Sequence, residues 1–86
     1  MKVIELVNLH RKDIPLYYRK EFTGDAVFEL MNRRMERPVE FVVEKKPFGG
    51  VDVSVHILAD IEYPIVPLIN GLKTYIADLE SKGKLP

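Results

Sequence analysis

Six apolar residues, Ile65, Leu68, Ile69, Leu72, Ile76 and Leu79, return at intervals of three and four near the C-terminus of this chain. That spacing predicts one amphipathic helix from about Pro64 to Lys82. Pro64 and Pro67 are tolerable only in its first turn, so the helix begins at one or the other. Gly83 is a natural left-handed stop, and Lys82 and Lys84 suit the negative end of the helix dipole. A helix with one apolar stripe needs a surface to bury it, and the rest of the chain must supply that surface.

The preceding residues read mostly as strands. KVIELVNL carries Val3, Val7 and Leu9 on one alternating face and Ile4 and Leu6 on the other, so both faces call for cover. HRKDIP breaks the pattern at Pro15, and PLYYRKEF resumes it with Leu16, Tyr18 and Phe22. TGDAVFELMNRRMER is expected to be a first helix. Thr23 or Asp25 caps its start, Val27, Leu30, Met31 and Met35 form its stripe, Arg33, Arg34 and Arg37 suit its end, and Pro38 stops it. VEFVVEKK and VDVSVHIL then form a hairpin.

The hairpin register follows from charge and hydropathy. With Phe48, Gly49 and Gly50 as a three-residue loop, Val43 pairs with Val55, Phe41 with Ile57, Lys46 with Asp52, Lys45 with Val53 and Glu44 with Ser54. Gly50 supplies the left-handed residue that such a loop requires. The Gly49-Gly50 pair leads into a strand rather than a helix, so it is a turn and not a phosphate cradle. The expected architecture is α+β: one ββαββα domain over residues 1–86, with a mainly antiparallel sheet of about four strands and two helices on one face.

Composition narrows the function classes. In 86 residues, 47% are apolar and 30% charged, ordinary values for a folded chain. Thirteen Lys and Arg balance thirteen Asp and Glu, so no bulk charge steers the protein to nucleic acid or anionic lipid, although a local basic patch is compatible with that balance. The absence of cysteine excludes disulfides, thiolate metal sites and cysteine nucleophiles. No apolar run reaches the roughly 20 residues that span a bilayer. The N-terminus lacks a signal-peptide cleavage pattern, which makes a cytoplasmic setting the default expectation and a membrane partner unexpected.

No catalytic constellation emerges, and no cofactor is expected. Asp52, Ser54 and His56 share a strand face, but residues two apart on a strand lack the convergence of a catalytic triad. His10 and Asp13 have no second cluster at metal-ligand spacing and belong to a solvated turn. Arg19, Lys20, Arg33, Arg34 and Arg37, with Tyr17 and Tyr18 interleaved, form a candidate nucleic-acid face, diluted by Asp13, Glu21, Glu29 and Glu36. Ile4, Leu6, Tyr17 and Tyr63 are candidate interface residues; Tyr63 enters the last helix in the cluster IEYPIVP. The sequence thus points to a non-enzymatic interaction or assembly module, homodimeric because a small core without staples gains from association. The alternative is a nucleic-acid-binding domain built on the five basic residues.

Overall fold

The computed structural model describes residues 1–60 and 65–86. Four strands come first, β1 (Lys2–Arg11), β2 (Arg19–Leu30), β3 (Arg33–Lys45) and β4 (Val51–Ile57), followed by one helix, α1 (Ile65–Ser81). The strands form a single antiparallel sheet in the order β1-β2-β3-β4. The fold is α+β, but it is ββββα: the expected ββαββα order with two helices is not observed.

The correction falls on residues 23–37. The expected first helix is instead the end of β2, a two-residue turn and the start of β3. The pairing runs without a break from Arg19 opposite Glu44 to Leu30 opposite Arg33. Met31 and Asn32 make the turn with φ of 53° and 63°, the left-handed pair that a tight hairpin needs to match strand twist. Met31, placed by the helical reading in the buried stripe, is 85% exposed. The same letters also carry a period of two, with Phe22, Ala26 and Phe28 buried on one side of β2. Ladder bonds on both sides of β2 outweigh helical periodicity over one short window, and Gly24 makes a poor helix interior.

Pro38 does not stop a helix; it sits inside β3. Its carbonyl accepts a hydrogen bond from the Leu58 amide at 2.9 Å. The amide and carbonyl of one strand residue point to the same edge, so the missing N–H lies where β4 has just ended at Ile57.

β1 reconciles its two apolar sets by bulging. Its pairing with β2 shifts between Val3 and Glu5 and again between Val7 and His10. Each shift inserts one residue, so Val3, Leu6 and Leu9, three apart, all pack on the core beneath α1. Asn8, in the second irregularity, has φ of 54° and donates to the Asp25 carboxylate at 2.8 Å. There β1 presses close to β2: a Cβ on Gly24 would stand 2.7 Å from Leu9 Cδ2 and 3.1 Å from the Val7 carbonyl oxygen.

The core lies between the sheet and α1. Phe22 stacks on Phe41 at a centroid distance of 4.9 Å. Val39, Val43, Val53 and Ile57 extend the apolar floor, and Leu68, Leu72 and Ile76 descend onto it from the helix. The helix closes as expected: the Gly83 amide bonds the Glu80 carbonyl and the Lys84 amide bonds the Leu79 carbonyl, with Gly83 at φ of 66°. No helix of the described residues is long and apolar enough to cross a membrane.

Two outcomes test this architecture. Leu72 is completely buried, so Leu72→Ala is expected to cost about 2–5 kcal/mol in a denaturant melt. Replacing Met31-Asn32 by Asn-Gly, the favoured pair for this turn, is expected to stabilise the protein by about 0.5–1 kcal/mol. A helix over residues 23–37 would instead lose stability from the inserted glycine.

Candidate interaction site

The β3–β4 hairpin keeps the expected three-residue loop but shifts it by one position. Lys46 donates its amide to the Gly50 carbonyl at 3.1 Å, and Gly49 donates to the Lys46 carbonyl at 3.2 Å. The loop is therefore Pro47, Phe48 and Gly49, not Phe48 to Gly50. Pro47 fits the first central position of the turn, where its fixed φ is an advantage and no amide is required. Gly49 and Gly50 both take positive φ, 103° and 79°. Pairing moves by two residues, so Val43 faces Val53, Phe41 faces Val55 and Glu44 faces Asp52. A shift of two preserves which side each residue faces, and for that reason hydropathy alone could not choose the register.

The turn places Phe48 fully in solvent at the hairpin tip. Lys45 and Lys46 precede it, both exposed. The β1–β2 connection reaches the same end of the sheet, where the Lys45 amide donates to the Tyr18 carbonyl at 2.8 Å. That connection carries Leu16, Tyr17 and Tyr18, all exposed, with Tyr17 at 88%. Tyr17 and Tyr18 meet edge to face at 5.7 Å. Two loops thus bring exposed aromatic groups and free lysines together at one rim. Tyr17 is a candidate from sequence; Phe48, Lys45 and Lys46 are not. The signal available was a phenylalanine at a turn centre, where small polar residues are usual.

The other candidates are dispersed. Arg19 and Arg33 stand at opposite ends of the β2–β3 hairpin, about 36 Å apart at the rise of a strand. By register, Lys20, Arg33 and Arg37 occupy the helix side of the sheet and Arg19 and Arg34 the opposite side. Most are also paired: Arg19 with Glu21 and Glu44, Lys20 with Glu80, Arg34 with Glu5. The hydrogen bonds to Glu21 and then Glu44 raise the pKa of Arg19, which keeps its charge fixed. Ile4 is half-buried at the first bulge, and Leu6 packs on the core. Tyr63 and the adjoining Pro64 lie outside the described residues.

The face away from α1 is acidic. Register places Glu5, Glu21, Asp25, Glu29, Glu36, Glu40, Glu44 and Asp52 on it, against Lys2, Arg19 and Arg34. Lys12 reaches over it from the β1–β2 connection to Glu21 and Glu40. A recess of about 290 Å³ on this face is lined by Lys12, Arg19, Glu21, Glu40, Val42, Ser54 and His56. Its cations and carboxylates largely satisfy one another. His56 faces Glu40, Ser54 faces Val42, and Asp52 faces Glu44. Among the described residues no hydrogen bond joins Asp52, Ser54 and His56, and no group of three or more His, Asp or Glu is placed to hold a metal ion.

Comparison with known proteins gives one result that bears on identity. A family model, that of the BB_0187 family, matches residues 1–81. The chain belongs to this family. No curated protein and no solved structure matches the sequence. Membership in the family therefore brings no activity with it, and the functional argument rests on the rim and the acidic face.

The rim separates stability from function cleanly. A side chain added at Gly49 or Gly50 meets no atom within 4 Å, so its cost is backbone strain alone. Gly49→Val is expected to lose about 1–2 kcal/mol, whereas Phe48→Ser should change stability by less than about 0.5 kcal/mol. Paired thermal melts check both.

Proposed function

We propose that this protein is a non-enzymatic interaction module whose working surface is the rim formed by the β1–β2 connection and the β3–β4 hairpin. The observation that carries this reading is the joint exposure of Leu16, Tyr17, Tyr18 and Phe48 at one end of the sheet. A small protein gains nothing in stability from a fully solvated phenylalanine, and clustered exposed apolar groups mark contact surfaces. Aromatic side chains with polar neighbours are also the groups that dominate binding energies.

The nucleic-acid alternative draws less support from the geometry. Its five basic side chains lie on two sides and at two ends of the sheet, and eight carboxylates populate the open face. A phosphate backbone tracks a continuous cationic groove, which this arrangement does not offer. Homodimerisation through β1 rests on two apolar faces, and the two bulges turn Val3, Leu6 and Leu9 to one side. Ile4 and Val7 remain half-buried beside Val27, which is only 2% exposed, so less apolar surface awaits a second subunit there.

The test is retention from native lysate by immobilised wild type, by a Tyr17→Ser/Phe48→Ser variant and by a Met31→Ser control, each with and without nuclease. The expected outcome is that wild type and control retain material that the rim variant loses, with no effect of nuclease. Equal retention by all three overturns the rim, and nuclease-sensitive retention transfers the argument to nucleic acid. Multi-angle light scattering at micromolar concentration decides self-association separately.

A further inference from the structure

We propose that the rim docks end-on against an anionic lipid bilayer, with Phe48 entering the interfacial region and Lys45 and Lys46 contacting headgroup phosphates. The proposal deepens the interaction-module reading and rests on the rim being its working surface. It concerns surface attachment and needs no membrane-spanning element.

Three observations choose this occupant. The first is charge complementarity. Lys45 and Lys46 flank the exposed ring directly, and neither forms an ion pair among the described residues. An apolar wedge with adjacent cations matches the two layers of an anionic membrane surface, acyl chains below and phosphates above. Tyr17 and Tyr18 add rings with a polar tip, suited to headgroup depth.

The second is shape. Phe48 crowns a convex tip built on Pro47 and two glycines of positive φ. Bases stack on platforms within grooves. A convex tip offers no such platform, whereas a bilayer yields to it. The Cα extents of the molecule are 39 × 24 × 20 Å. Its longest dimension matches β2 and β3, of 12 and 13 residues, so the rim lies across the narrow end. That cross-section is smaller than the patch of about 800 Å² that each partner contributes to a stable protein complex.

The third is orientation. The eight carboxylates on the open face repel an anionic surface and disfavour docking flat on the sheet. Net neutrality therefore hides a directional arrangement, in which the rim can approach phosphates and the open face cannot.

The chain contains no tryptophan, so Phe48→Trp places a single fluorescent reporter at the tip and Met31→Trp places one at the far end. Each is titrated with vesicles of phosphatidylcholine, with vesicles of phosphatidylcholine mixed with phosphatidylglycerol, with inorganic phosphate and with a single-stranded oligonucleotide. The expected result is a blue shift for Trp at position 48 with the anionic vesicles alone, and none at position 31. In co-sedimentation, Lys45→Gln and Lys46→Gln should each lower binding about fivefold, and Phe48→Ser should lower it at least as much. Absence of vesicle binding overturns the proposal, as do equal shifts at both positions, a response to oligonucleotide, or a response to phosphate that vesicles do not exceed. If the rim variant still loses its lysate partner while vesicles are ignored, the rim stands and the lipid assignment falls. If neither assay depends on the rim, both fall.

Discussion

The unbroken pairing of β2 with β3 holds this molecule together. It places Phe22 against Phe41, aligns Val39 and Val43 with the apolar residues of β4, and leaves one side on which α1 can bury Leu68, Leu72 and Ile76. No smaller unit is self-sufficient. A lone hairpin is marginal in water, and a helix of this length is marginal without tertiary packing. The sheet and helix stabilise each other because each supplies the apolar surface that the other must cover.

That pairing also decides where charge goes. Since alternate residues of a strand face opposite sides, a sequence with balanced totals can sort its charges by parity. Glu21, Asp25 and Glu29 of β2 lie on the open face with Glu36, Glu40 and Glu44 of β3. Cross-strand ion pairs temper the resulting field, most clearly where Arg19 holds Glu21 at 3.0 Å and Glu44 at 3.3 Å. All of these groups are partly or well exposed, so each pair contributes little to stability. Their effect is on what can approach the face.

The rim arises from topology rather than from any motif. In a meander the first and third connections fall at the same end of the sheet, and here both carry exposed aromatic groups. Tyr17 and Phe48 are 31 positions apart in the chain, and nothing local relates them. The lysines next to Phe48 gain meaning only once the hairpin tip is known to project beyond the ladder.

By itself the sequence determined α1, its stripe and its Gly83 stop, because a period of 3.6 sustained along the whole helix has no competing reading. It also determined that residues 39–45 and 51–57 form a hairpin with odd-numbered residues inward, since period two is as unambiguous there. The tertiary structure decided the rest. Residues 23–37 carry both periods, and only pairing with two neighbouring strands made them a hairpin around Met31 and Asn32. The β3–β4 register differs by two residues from the one that cross-strand charge favours, because Pro47 and two positive-φ glycines fit the turn best when it starts one residue earlier. β1 reads as a strand with two apolar faces because bulges are invisible to strict alternation; contact of Leu9 with Gly24 fixed where the strand had to kink. Local periodicity specifies an element when one pattern dominates, whereas register, bulges and the gathering of distant loops depend on contacts that exist only after the chain has folded.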